Sequence, residues 1–120
     1  MSRTVVLGAS PKAERYSNQA IRLLQKYGHE VVPVNPAFAE IEGLPTAKTL
    51  SDVQGEVDTL TLYVGPDRGE PLLAEMLALH PKRVIMNPGT ESKRLADALQ
   101  ASGVEVVEGC TLVMLRTGQY

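Results

Sequence analysis

Tryptophan is missing from this 120-residue chain, phenylalanine occurs only at Phe38, and all aromatic residues together make up 4% of it. Without aromatic faces there is no platform on which exposed bases could stack. A formal net charge of −2 also leaves no basic excess to neutralise a phosphate backbone, so no nucleic-acid partner is expected. Cysteine is nearly as scarce. Cys110 alone cannot form an internal disulfide, which fits a reducing compartment. With only His29 and His80 beside it, it cannot close a zinc site either, and no metal is expected. No apolar run approaches the ~20 residues of a membrane span. Met1-Ser2-Arg3 leads straight into an apolar strand rather than a secretory leader. The expectation is a cytoplasmic protein with no membrane partner.

What is present is ordinary globular material, 43% hydrophobic and 22% charged, enough for one core and one domain over residues 1–120. Strand and helix signals alternate along it. Val5, Val6 and Leu7 read as a first strand. Ser17 or Asn18 is placed to cap a helix whose apolar stripe is Ala20, Leu23, Leu24 and Tyr27, with Gly28 as its stop. Residues 30–34 form a second strand in which Pro33 has no N–H to offer a neighbour on one side. Residues 37–55 are the hardest to read, with turn signals at Gly43, Pro45 and Ser51 and one short helical turn near Val53. A strand over 57–64 follows, then a helix over 70–80 ended by Pro81, a strand over 83–86, a helix over 91–102 and a strand over 104–107. The tail, 111–115, suits a short strand or a helical turn equally. Five short apolar strands separated by helices predict an α/β fold: a parallel five-stranded sheet covered on both faces, a Rossmann-like three-layer sandwich. The order 3-2-1-4-5 is expected, with the topological switch between the first and fourth strands.

The unusual residues fall on one edge of that sheet. Connections entering the strands are plain: Tyr27-Gly28-His29, Gly55-Glu56, Pro81-Lys82 and Ser102-Gly103. Those leaving the strands hold Gly8-Ala9-Ser10-Pro11-Lys12, Asn35-Pro36, Val64-Gly65-Pro66, Asn87-Pro88-Gly89-Thr90 and Glu108-Gly109-Cys110. In open α/β sheets that edge is where ligands bind. At the first loop, Gly8 and Ala9 permit close backbone approach, Ser10 offers a hydroxyl and an N–H, and Lys12 and Arg15 add positive charge for an anion. Only the first glycine of the dinucleotide fingerprint is present, and the Gly-Lys-Ser/Thr ending of a P-loop is missing. After the second strand, Val34-Asn35-Pro36 is neutral where an NAD site places an acid on the ribose. A ribose that carries its own phosphate tolerates a neutral residue better, which points to coenzyme A or to a 2′-phosphorylated cofactor such as NADP.

Gly8-Ala9-Ser10 after the first strand, Tyr16-Ser17 at the start of the first helix and Val31-Val32-Pro33-Val34-Asn35-Pro36 together resemble the small CoA-binding proteins. Those are single Rossmann-like domains related to the N-terminal CoA-binding domain of the succinyl-CoA synthetase alpha subunit. The resemblance spans nearly the whole chain and implies CoA binding along the carboxyl edge with no established reaction. It implies that Gly8, Ala9 and Ser10 meet the pyrophosphate, that Val34, Asn35 and Pro36 lie near the adenosine, and that Val64 and Gly65 flank the ligand. The chain departs from the family pattern where Val64-Gly65 replaces an aromatic-Arg pair and Glu108-Gly109 replaces Asp-Arg. Asn87-Pro88-Gly89 also replaces a Gln/Ser-Gly version, and the usual N-terminal helix is missing.

No catalytic residue is assigned. His29 and His80 are expected on the opposite edge, and Glu91 and Asp97 beside Lys93 and Arg94 read as a solvated helix face. Cys110 is either a small buried apolar residue or a redox-active thiol beside that of CoA. The expected function is non-catalytic binding of CoA or acyl-CoA. The alternative is an enzyme or subunit acting on another phosphorylated nucleotide such as NADP. The apolar run Leu112-Val113-Met114-Leu115 either closes the core or pairs two copies in a homodimer.

Overall fold

A computed structural model describes residues 2–120. The main sheet holds β1 (Arg3–Leu7), β2 (Glu30–Val34), β5 (Thr59–Leu62), β6 (Arg83–Met86) and β7 (Glu105–Glu108). All its pairings are parallel, in the order β2-β1-β5-β6-β7. The helices are α1 (Tyr16–Lys26), α2 (Pro66–Gly69), α3 (Leu73–Leu79), α4 (Lys93–Ala101) and α5 (Thr111–Arg116). Between β2 and β5 lie a small hairpin, β3 (Glu40–Ile41) with β4 (Leu44–Pro45), and a 3-10 turn over Leu50–Asp52. Among the described residues no helix is long and apolar enough to cross a membrane.

The fold class is the expected one, but the strand order is corrected. Counting only main-sheet strands, it runs 2-1-3-4-5, not 3-2-1-4-5. Two physical reasons put the third strand inside. Every residue of β5 is buried, so this strand needs neighbours on both sides. The outer side of β2 cannot carry a full ladder, because Pro33 lacks an N–H there. A single crossing segment covers it instead: Ala47 N–H donates to Pro33 O, and Asn35 N–H donates to Ala47 O, both at 3.0 Å. The switch point therefore lies between β1 and β5 rather than between the first and fourth strands.

Period-two alternation in β1 divides the core. Val5 and Leu7 join Leu60, Leu62, Met76, Val84, Leu95 and Leu99 on the α3/α4 face, while Val6 joins Ile21, Leu24, Val31 and Leu115 on the α1/α5 face. Fully buried side chains such as Leu60 or Ile21 each contribute roughly 1.5–3 kcal/mol. The tail is helical, and Leu112 and Leu115 are buried within the chain, so α5 closes the core.

Two other boundaries move. The helical run after β5 starts at Pro66 rather than residue 70, because proline at the first helical position fixes φ where the N–H would be unpaired anyway. In α1 the N-cap is Arg15, while Ser17 and Asn18 are buried inside the first turn. Ile21, not Tyr27, completes the buried stripe. Gly28 closes α1 as expected: Gly28 N–H and His29 N–H donate back to Gln25 O and Leu24 O at 3.0 Å.

Candidate functional site

The β1–α1 loop begins at the switch point. Gly8 has φ +87°, and a methyl group there would lie 2.9 Å from both the Tyr63 carbonyl oxygen and Val64 Cγ1. The chain thus turns hard against the end of β5, as only glycine allows. The next residues are tied to β2: Ala9 N–H donates to Val34 O (3.2 Å), and Asn35 Nδ2 donates to Ala9 O (2.7 Å). The other end of the Asn35 amide accepts Ala37 N–H at 2.7 Å. Asn35 is therefore a clamp between two loops, its side-chain amide engaged by backbone at both ends. On the other side of the loop, Asn18 Nδ2 donates to Ser10 O at 3.0 Å. Ser10 Oγ accepts Lys12 N–H at 3.1 Å, and its own proton stays available to a ligand.

Within α1 the first amide with an acceptor is Gln19, which donates to Arg15 O at 3.0 Å. The N–H groups of Tyr16, Ser17 and Asn18 find no protein acceptor among the described residues. Their partial charges and the dipole of this helix favour an anion at that end.

Three confluent cavities follow the carboxyl edge. The first, about 240 Å³, runs from Val34, Pro36, Lys48 and Leu50 to Val64 and Leu72. Gly8, Asn35 and Arg68 also line it, and they border the second cavity, about 420 Å³, whose walls include Ala9, Ser10, Arg15, Gly65, Gly89 and Thr90. Tyr16, Tyr63 and Pro88 border the second and third alike. The third, about 340 Å³, is walled further by Gln19, Asn87, Cys110, Leu112 and Arg116. Of the residues singled out from the sequence, only Lys12 lines none of the three; it is exposed on the loop.

Arg68, Lys48 and Tyr63 join the site without having been foreseen. Arg68 was legible in principle: Pro66 at a helix start brings the residue two positions on into the first turn, facing the glycine loop. Lys48 reaches the rim only because Ala47 bridges to Val34, a long-range contact. The three ion pairs among the described residues are Arg3–Glu30, Lys82–Asp58 and Lys93–Asp97, and none lines the trough. Arg15, Arg68 and Lys48 thus present positive charge with no salt-bridge partner. Glu75, the one acid among the described residues on the walls, is engaged by Ser51 N–H (3.2 Å) and Ser51 Oγ (3.0 Å).

Beneath the third cavity lies a buried polar knot. Asn87, 2% exposed, donates through Nδ2 to Thr61 Oγ1 and Leu62 O, both at 2.7 Å, and accepts Thr111 N–H through Oδ1 at 2.9 Å. It joins the ends of β5 and β6 to the start of α5, so its side chain is structural. The Tyr63 hydroxyl is buried and finds no hydrogen-bond partner of normal geometry. Burial pushes its pKa up to about 12, with the Thr111 and Thr61 hydroxyls opposing the shift, so Tyr63 is neutral at physiological pH. Cys110, at the N-cap of α5, is half-buried rather than sealed in the core.

Both histidines lie away from the trough. His29 packs on Tyr120 and its Nδ1 faces Ser2 Oγ at 3.0 Å, while His80 Nε2 meets Ser102 O at 3.1 Å. The described residues hold no group of three or more His, Cys, Asp or Glu placed to bind a metal ion.

The sequence pattern of a family described as a CoA binding domain matches residues 2–116. A crystal structure of an uncharacterised protein superimposes with a TM-score of 0.94 at 42% identity, covering 100% of this chain and 98% of the other. The dinucleotide-forming acetyl-coenzyme A synthetase 1 of Ca. Korarchaeum cryptofilum, solved with phosphate and ADP, superimposes with a TM-score of 0.78 at 25% identity. That match covers 90% of this chain and 25% of the synthetase. The uncharacterised protein YneT of Bacillus subtilis is 30% identical over 61 residues, 51% of this chain and 45% of that protein. The match thus spans less than half of YneT.

Proposed function

Because the chain belongs to the CoA-binding domain family, we propose that it binds coenzyme A or an acyl-CoA along the carboxyl edge of its sheet. One observation carries the reading: three cavities follow one another along the carboxyl edge, the middle one beside the free α1 amides and unpaired cations. An elongated ligand with an anionic centre suits that sequence of walls. The pyrophosphate takes the middle, against Gly8, Ala9, Ser10 and the α1 amides, with Arg15 and Arg68 beside it. The adenosine takes the apolar first cavity between Val34, Pro36 and Val64, with Lys48 at the rim for the ribose phosphate. The pantetheine arm takes the third cavity and brings its thiol towards Cys110.

The role is that of a carrier or sensor rather than a catalyst. The histidines lie on the other edge, Tyr63 stays protonated, and Glu75 is already engaged by Ser51. A free thiol at Cys110 suits the reducing cytoplasm. Given the disulfide of CoA, the Cys110 thiolate would attack one of its sulfurs, forming a protein–CoA disulfide and releasing one CoA thiolate. Intact mass after such treatment should show one CoA adduct that dithiothreitol removes.

Calorimetry with CoA, NADP and ATP tests the reading. CoA should bind and Ser10→Asp should abolish the heat, because its carboxylate would occupy the pyrophosphate position. Binding of NADP alone, or undiminished CoA binding by Ser10→Asp, would overturn the assignment.

A further inference from the structure

We infer that the third cavity accepts an acyl group ending in a carboxylate, so that the preferred ligand is a short dicarboxylic acyl-CoA. The inference rests on the CoA reading above and adds the identity of the group carried on the thiol. Among the described residues no carboxylate lines this cavity, and its one cation is Arg116. Arg116 takes part in none of the ion pairs among the described residues. Through Gln19 and Arg116 the cavity continues into a groove of about 300 Å³ between α1 and α5. That groove adds Arg22 and Lys26 and again no acid. Arg22 donates to neutral oxygens, Asn18 Oδ1 at 2.8 Å and Ala13 O at 2.9 Å, and meets no carboxylate directly; Glu42 accepts from the other end of the Asn18 amide at 3.1 Å. A neutral acyl chain would leave this concentration of positive charge unused, whereas a distal carboxylate would find it at the cavity mouth.

The spacing sets the class of acyl group. Cys110 and Arg116 bracket α5, and their backbones are separated by about 9 Å of helical rise. With the thioester near Cys110, an acetyl group ends well short of the Arg116 guanidinium. A short dicarboxylic acyl group spans the gap along the wall formed by Leu112 and Tyr16.

Titration calorimetry of the full chain with CoA, pentanoyl-CoA and glutaryl-CoA decides the matter, since the two acyl groups have equal carbon counts and differ in the terminal carboxylate. Glutaryl-CoA should bind about three- to fivefold more tightly at low ionic strength, the size of one exposed ion pair. That ratio should fall to one in Arg116→Gln and shrink with added salt. Equal affinities in the native protein, or a preference that persists in Arg116→Gln, would overturn the acyl assignment while CoA binding itself stands. If none of the three binds, the CoA reading fails and this inference fails with it.

Discussion

Replacing Gly8 by alanine tests whether the carboxyl edge is built as described. The new methyl would sit 2.9 Å from the Tyr63 carbonyl oxygen, a backbone atom that cannot rotate away, and 2.9 Å from Val64 Cγ1. Holding alanine at φ +87° costs about 1–2 kcal/mol, and forcing a methyl into a filled space costs about 1–3 kcal/mol. The total, roughly 2–5 kcal/mol, corresponds to a fall in Tm of about 8–20 °C for a domain of this size. Two glycines on the same edge separate the terms. Gly89 has φ +90° but nothing within 4 Å of an added methyl, so Gly89→Ala should show the conformational cost alone, about 4–8 °C. Gly65 has φ −71°, and its nearest neighbour would be Gly89 O at 3.8 Å, so Gly65→Ala should stay within about 0.5 kcal/mol of the native protein. Scanning calorimetry on the three variants gives the ranking. If Gly8→Ala melted no lower than Gly89→Ala, the close approach of the two loops would be refuted.

Removing the Asn87 side chain strands three buried partners, Thr61 Oγ1, Leu62 O and Thr111 N–H, so Asn87→Ala should cost about 3 kcal/mol in urea denaturation with the m-value unchanged; a cost below about 1 kcal/mol would remove the knot from the account. Burial, and then Arg83, hold the His29 pKa below its usual 6.5. The neutral ring is therefore favoured by folding, the stability this contributes is complete above pH 6.5, and it is lost as pH falls through the lower folded value. Tm should accordingly fall as pH drops below about 6.5, less steeply in His29→Gln; identical profiles would contradict it. Arg68→Gln should weaken CoA binding about two- to fivefold and flatten its salt dependence, the size of one solvent-exposed ion pair. An unchanged dissociation constant would take Arg68 off the ligand.

Much of the fold could be read from local pattern. Gly28 and Pro81 end helices through backbone geometry that needs no partner, and Ser92 caps α4 by accepting Leu95 N–H at 3.1 Å. The five strands are short apolar runs between such stops. The turns that border the cavities were legible for the same reason, where Gly8, Gly65 and Gly89 mark the chain leaving the strands. Residues 37–55 were not legible, because Ala47 takes its place by pairing with the outer side of β2.

The alternation of strand and helix, the parallel sheet and the edge that carries the small residues were determined by the amino-acid order itself, since helical stripes, strand runs and turn residues act over a few neighbours. Tertiary structure alone decided that β5 lies beside β1, that Lys48 joins the rim, and that Asn35 and Asn87 spend their amides on the scaffold. These outcomes depend on which strand has both edges free to pair and which buried polar atom meets which across 25 or more residues of chain, and no local pattern records that.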